Sequence, residues 1–513
     1  MSKILGFLFN RITIIVLLML VQAAALAVSI WGLSHYFVYI YIALFVLSAL
    51  TVLWIINTWI NPAYKLAWTI LILSLPIFGG LFYLCFGANQ INKSLAVRLK
   101  RQYDKIAPLL LQDERVARRN IGALQEQSVD AANQSCFIHQ SSGYPLYQNT
   151  ETLFLSPGEN KFETLLVELQ KAERFIFLEY FIINEGLMWN TILEILQQKA
   201  AQGVDVRVMY DGCGSLMLLP ADYPKKLESM GIKCQVFNPL RPMLSVTMNN
   251  RDHRKIFVID GHTAFTGGIN LSDEYINVVD KYGHWKDASI MIRGEAVWSF
   301  TLMFLGMWNY KERSDEDFEQ FRPPHNIAFQ TDGFVQPYGD SPLDYDDVGE
   351  MVYLNMINRA KKYVYISTPY LIVDNELVTA LILAAESGVD VRIVTPHVWD
   401  KWYVHMVSSS YYRNLIERGV KIYEYTPGFI HSKTFVVDDE IATIGTINMD
   451  YRSLYLHFEC GVWMYRSAAV GQVYRDYMEI LKASQRVTLE ECRKVRWYQR
   501  MFRGILRAFA PLM

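Results

Sequence analysis

Two histidine and lysine pairs with identical surroundings carry the chemistry legible in this sequence. The first is His253-x-Lys255, followed after four residues by Asp260 and after six more by Gly267-Gly268-x-Asn270. The second is His431-x-Lys433, with Asp438 and Gly445-Thr446-x-Asn448 at the same offsets. With 10 His in 513 residues, a chance His-x-Lys-x4-Asp arises roughly a few hundredths of a time per chain, and a matched pair far more rarely. Near neutral pH an imidazole can attack as a nucleophile or deliver a proton as imidazolium, while an ammonium and a carboxamide neutralise and orient phosphoryl oxygens. The runs Phe257-Val258-Ile259 and Phe435-Val436-Val437 are strand-forming, so His and Lys at i and i+2 are expected to project from one face. A pseudo-twofold pairing of the two sets would bring two His, two Lys and two Asn onto one phosphodiester.

The elements that must position these residues also repeat. Phe175 to Phe181 predicts a buried strand, Thr191 to Ala201 a helix, and Gly203-Val204-Asp205-Val206-Arg207-Val208 the turn into a further strand. The same order returns with Tyr363 to Tyr370, a helix over Leu377 to Glu386, and Gly388-Val389-Asp390-Val391-Arg392-Ile393. A duplicated α/β lobe is the economical explanation. The expected organisation is a membrane region at 1–88, a polar connector at 89–150, a first lobe at 151–325, a second at 326–485 and a basic amphipathic tail at 486–513.

Composition fits that division. The formal net charge is −2, hydrophobic residues make up 52% and charged residues 19%, so no basic field points to nucleic acid and the apolar excess points to lipid. Residues 1–88 hold only Lys3, Arg11 and Lys65 as charges, with no Asp or Glu. Three runs, Ile12 to Leu33, Tyr36 to Ile56 and Leu66 to Phe86, are each about as long as the ~20 residues a crossing helix needs. Eight cations between Lys93 and Arg119 place the following lobes in the cytoplasm by the positive-inside rule. The six cysteines are scattered without a C-x-x-C and read as reduced structural thiols. In the tail, six Arg and Lys between Arg493 and Arg507 interleave with Trp497, Met501, Phe502, Ile505 and Phe509, the pattern of a helix lying on an anionic lipid surface.

The doubled motif resembles that of the phospholipase D superfamily, and neighbouring residues narrow the resemblance to bacterial cardiolipin synthases. They include Tyr210-Asp211-Gly212, Phe237-Asn238-Pro239, Asn249 to Lys255, Thr368-Pro369-Tyr370, Gly428-Phe429-Ile430-His431 and Gly445 to Asp450 with Arg452-Ser453. The sequence departs from that pattern in its three apolar runs, in Gln336 to Pro342, and in His457-Phe458-Glu459 where Asn-Phe-Glu is common. The resemblance implies two phospholipase D-like α/β/α lobes with pseudo-twofold symmetry behind N-terminal transmembrane helices. It implies phosphatidyl transfer between two phosphatidylglycerol molecules through a phosphohistidine, with no metal and no cofactor. A phospholipase D-type hydrolase, or a donor such as phosphatidylethanolamine, is the alternative reading. His253 is the expected nucleophile and His431 the acid/base; Lys255, Lys433, Asn270 and Asn448 are expected to bind phosphoryl oxygens. Asp287 and Glu459 follow their motif histidines by 34 and 28 residues, where the superfamily keeps a carboxylate that fixes the imidazole. Asp260 and Asp438 complete the catalytic motifs and are expected behind the site as scaffold. The expected partners are phospholipid substrates and the bilayer, with no nucleic acid and with a homo-oligomer left open.

Overall fold

The repeated Val-Asp-Val-Arg marks an equivalent strand in each lobe. In the computed structural model, Asp205 and Arg207 lie two apart on one strand face and pair at 2.7 Å, and Arg207 covers the ring of Phe177 on the neighbouring strand. Asp390 and Arg392 pair at 2.6 Å, with Arg392 over Tyr365. The intervening valines point to the other face, where helices cover them. The structure describes residues 37–58, 60–75, 93–239, 250–311, 316–323, 333–344 and 346–512, with a few positions at 17–28 and at 80, 83 and 329.

The first lobe contains β1 (Thr150–Leu155), β2 (Phe175–Tyr180), β3 (Asp205–Asp211), β4 (Lys233–Phe237), β5 (Ile256–Ile259), β6 (Thr263–Gly267), a separate short β7 (His284–Lys286) and β8 (Ser289–Gly294). Its sheet runs β1-β8-β6-β5-β2-β3-β4. The second lobe contains β9 (Phe334–Asp340), β10 (Tyr363–Ser367), β11 (Leu371–Ile372), β12 (Asp390–Pro396), β13 (Lys421–Tyr425), β14 (Gly428–Ile430), β15 (Thr434–Val437), β16 (Ile441–Gly445), β17 (Met449–Asp450), β18 (Glu459–Tyr465) and β19 (Ser484–Arg486). Its sheet runs β9-β18-β16-β15-β10-β12-β13-β19. Strand for strand this is the first sheet with one added edge, so the duplication inferred from the motifs extends to topology. Helices Leu187–Ala201 and Asn375–Glu386 are the expected crossovers, each longer at its start than the apolar periodicity indicates.

The stretch at 89–150, expected as a connector, is largely helical: Lys93–Leu110, Glu114–Gln127 and Val129–Ser142. Asp113 and Ser128 cap the second and third, accepting from Arg115 and Ala131 backbone N–H groups. These helices pack into the lobes. Gln336 Nε2 donates to the carbonyls of Ser135 and Tyr144 at 3.1 and 2.9 Å, and Trp298 Nε1 donates to Leu109 O at 2.9 Å. Polar side chains of the stretch satisfy buried backbone groups in turn: Asn120 Nδ2 donates to Leu146 O at 3.0 Å and Gln134 Nε2 to Val352 O at 3.5 Å.

Residues 93–239 and 250–503 form one unit containing both lobes, and 1–92, 240–249 and 504–513 form another. In the latter, Val52, Ile55, Trp68, Ile72 and Tyr83 make a small core. Among the described residues no helix is long and apolar enough to cross a membrane. The second expected run comes nearest, as the uncharged helix Phe37–Ile56. The first part of the third run lies in the helix Pro62–Ser74, and most of the first run and of residues 76–92 lies outside the described residues. Cys136, Cys213, Cys234, Cys460 and Cys492 are free thiols.

Candidate active site

Each motif histidine stands on an extended arm just before its strand, and the arm pairs with the other lobe. His253 and Lys255 precede β5, and His431 and Lys433 fall between β14 and β15. Asp252 bridges in parallel to Phe458; the His253 N–H donates to Phe458 O at 2.9 Å and the Phe458 N–H to Arg251 O at 2.9 Å. On the other side β14 pairs in parallel with β7, Ile430 opposite Lys286, and the His431 N–H donates to Lys286 O at 2.7 Å. The same residue-to-residue pattern is therefore made twice, once in each direction across the pseudo-twofold.

That pairing crosses the carboxylates. His253 Nδ1 donates to Glu459 at 2.8 and 3.0 Å, and His431 Nδ1 to Asp287 Oδ2 at 2.7 Å. The sequence placed each carboxylate behind the histidine of its own lobe; in the structure each serves the histidine of the other. With Nδ1–H held by an acceptor, Nε2 keeps its lone pair for chemistry. Gly268 makes room for this, since a Cβ there would lie 2.1 Å from Asp287 Oδ1. The equivalent position in the second lobe is Thr446, whose hydroxyl donates to Glu459 instead.

The lysines lie on the same face as their histidines. Lys255 Nζ donates to His253 O at 2.7 Å, and Lys433 Nζ to His431 O. All four side chains are buried, and that burial decides their protonation. His253 is pushed well below the usual imidazole range, first by burial and then by Lys255, His457, Lys433 and His431. His431 falls to about 4 through burial and Lys433, against the pull of Asp287. Burial lowers Lys255 to about 8 and Lys433 to about 7, with Glu459 and Asp287 respectively opposing. The two carboxyls diverge. Burial alone would raise Asp287, but His431 and Lys433 outweigh it and keep it below the ordinary value. Burial wins at Glu459 and holds it well above.

Asp260 and Asp438, included with the catalytic motifs, act away from the reacting groups. The carboxylate of Asp260 accepts from the backbone N–H groups of Glu173, Arg174 and Phe175, and that of Asp438 from Lys361, Lys362 and Tyr363. Each sits at positive φ, 52° and 54°, and braces the turn after one motif strand against the start of β2 or β10. The two asparagines also differ. Asn270 Nδ2 donates to Tyr275 OH at 2.6 Å and its Oδ1 accepts from Ile182 N–H at 3.1 Å, whereas Asn448 Oδ1 is buried without a hydrogen-bond partner.

Residues 165–283 and 353–481 match the family described as cardiolipin synthase, PLD-like domain, and residues 46–87 match a phospholipase D-nuclease N-terminal family. A cardiolipin synthase of Alkalihalophilus pseudofirmus is 36% identical over 461 residues, covering 88% of this chain and 90% of that protein. One from Halalkalibacterium halodurans is 36% identical over 88% of this chain and 90% of its own length. The chain belongs to the cardiolipin synthase family. An uncharacterized protein of Streptococcus mutans shares 44% identity over 90% of this chain and 99% of its own. The fold is shared with the crystal structure of phosphatidylserine synthase from Haemophilus influenzae, with a TM-score of 0.55 at 14% identity over 74% of this chain and 98% of that one. Like its family, this synthase-family chain is a phosphatidyltransferase.

Several neighbours of the site take roles that the sequence alone does not assign. His431 is walled by Tyr275, Trp285 and Phe429, with ring centroids 5.5, 5.6 and 5.9 Å away. His253 meets Phe181 edge-on at 5.0 Å. Arg251, within the quoted Asn249 to Lys255 stretch, forks onto Asp211 with contacts of 2.8 to 3.0 Å, which fixes the arm that carries His253. His253, His457 and Glu459 place ligand atoms within 4.8 Å of one another. Lys255, which depresses both imidazoles, would repel a dication there, so the trio suits hydrogen bonding to an anion-binding site better than metal coordination.

Proposed function

We propose that this chain is a cardiolipin synthase that joins two phosphatidylglycerol molecules through a phosphatidyl-histidine. The observation that carries the reading is the pair of buried imidazoles, each oriented through Nδ1 by a carboxylate of the opposite lobe, beside two buried lysines. His253 Nε2 attacks the phosphorus of the first phosphatidylglycerol; the bond to the headgroup oxygen breaks and glycerol leaves with a proton from His431. A hydroxyl of the second phosphatidylglycerol then gives its proton to His431 as its oxygen attacks the phosphorus. The P–N bond breaks, giving cardiolipin and restoring both histidines. Asp287, kept ionised, favours the imidazolium that His431 must form, which supports His431 as acid/base. Lys255, Lys433 and the Asn448 amide are the groups suited to the phosphoryl oxygens, with Asn270 acting through Tyr275.

The site is a cluster of mutually depressed cationic groups, which an anion relieves. Both imidazoles are neutral at pH 7 and Lys433, at about 7, is partly deprotonated. A phosphodiester among them raises every one of these values, so substrate binding draws from solvent the proton that the leaving glycerol needs. Vanadate titrated calorimetrically at pH 7 in two buffers of different ionisation enthalpy should show net uptake of about one proton. Net release would contradict this charge arrangement.

The tail supports work at a lipid surface. Helix Trp497–Ala508 buries none of its side chains, and Trp497, Met501 and Ile505, spaced four apart on one face, are 74, 58 and 49% exposed. With Arg496, Arg500 and Arg507 beside that face, it suits an anionic bilayer, with the N-terminal apolar runs as a multi-pass anchor and the lobes on the cytoplasmic side. Expression in a cardiolipin-null bacterium, read by lipid mass spectrometry, tests the function. Cardiolipin built from two phosphatidylglycerols, unaffected by chelator in membranes, is the expected result. Phosphatidic acid as sole product would make the chain a hydrolase, and a requirement for phosphatidylethanolamine would change the donor.

A further inference from the structure

His457 is a buried titratable side chain beside the site that the cycle above leaves unused. Its ring centroid lies 5.6 Å from that of His253. The side chain is 10% exposed, and neither ring nitrogen has a hydrogen-bond partner. Burial first, then Arg452, Arg251 and Lys255, keep it well below the usual imidazole range, so it is neutral and has one N–H to donate. An imidazole buried without partners is costly, and a hydrogen bond made on substrate binding recovers that cost.

The acceptor is at hand. His457 Nδ1 stands 3.9 Å from Glu459 Oε1, too far for a hydrogen bond but within a shift of ~1 Å of making one. Glu459 is the carboxyl that holds His253 at 2.8 Å and takes the Thr446 hydroxyl, with Lys255 and Asp450 as its charged neighbours. The backbone joins these groups into one piece, because Phe458 exchanges hydrogen bonds with Arg251 and His253. Attack through Nε2 leaves His253 as a cationic, phosphorylated ring, and that cation is stabilised only if Glu459 is ionised. Each N–H aimed at Glu459 favours that form.

We infer that His457 is a positioning residue whose Nδ1–H closes onto Glu459 when the phosphodiester enters, fixing the carboxylate that orients His253. The inference rests on His253 as nucleophile. It is tested in the full-length enzyme with His457→Leu, which removes the donor, and His457→Asn, whose Nδ2 can restore it. Two substrates are read: phosphatidylglycerol in micelles, and bis(p-nitrophenyl) phosphate, whose burst of p-nitrophenol reports transfer to His253 without any lipid. His457→Leu should lower kcat and the burst rate ~10-fold with KM within ~2-fold, while His457→Asn stays within ~3-fold of the parent enzyme on both. A Leu variant with the parent's kcat overturns the inference, as do Leu and Asn variants that fall together, which would make His457 a packing residue. A parent enzyme that gives the burst but no cardiolipin would overturn the lipid assignment, and the three burst rates would still decide the role of His457.

Discussion

Asp287→Asn, a change in the first lobe, should reproduce the defect of a His431 variant in the second. The carboxylate lies 2.7 Å from His431 Nδ1 and 144 residues away in sequence. An amide in its place no longer favours the Nδ1–H tautomer or the imidazolium, which in a comparable triad costs up to ~10⁴ in kcat. Proton transfer to and from glycerol should fail first, so labelled phosphatidylglycerol is expected to accumulate as an adduct on His253. Glu459→Gln should instead slow formation of that adduct. Peptide mapping after a single turnover checks both. If Asp287→Asn blocks the adduct and Glu459→Gln lets it accumulate, the crossed pairing does not govern the reaction.

His253→Ala and His431→Ala should each lower cardiolipin formation by at least ~10³-fold, since groups that act as a unit fail together when either is lost. The double variant should be little worse than either single one. His431→Asn is the more informative change, because attack by His253 can precede the protonation that is now missing, and acyl-labelled lipid should be trapped on His253. An adduct found on His431 in a His253 variant, and never on His253, would reverse the two roles. Unchanged thermal unfolding is expected to separate these effects from loss of structure, because the side-chain contacts of each ring are local to the site: a carboxylate and aromatic neighbours and, for His431, Lys433 Nζ at 2.9 Å from Nδ1. Substantial turnover by either alanine variant would end the two-histidine mechanism.

Much of this protein is local in sequence, and that part was legible. His253-x-Lys255 and His431-x-Lys433 stand at fixed offsets from Asp260 and Asp438, and strand geometry puts each His and Lys on one face whatever surrounds them. Gly-Val-Asp-Val-Arg announces the duplicated lobe because its Asp and Arg pair along the same strand. The apolar runs before residue 88 and the basic amphipathic tail are likewise matters of composition and period. What only the tertiary structure decided are contacts between residues 144 and 206 apart. They give Glu459 to His253 and Asp287 to His431, turn the polar stretch before residue 150 into packed helices, and leave His457 beside His253. The physical reason is the cross-lobe ladder at Asp252 and Ile430. Backbone N–H and C=O groups pair with whatever strand the fold presents, irrespective of side chain, so neither residue type nor spacing records which partner they find.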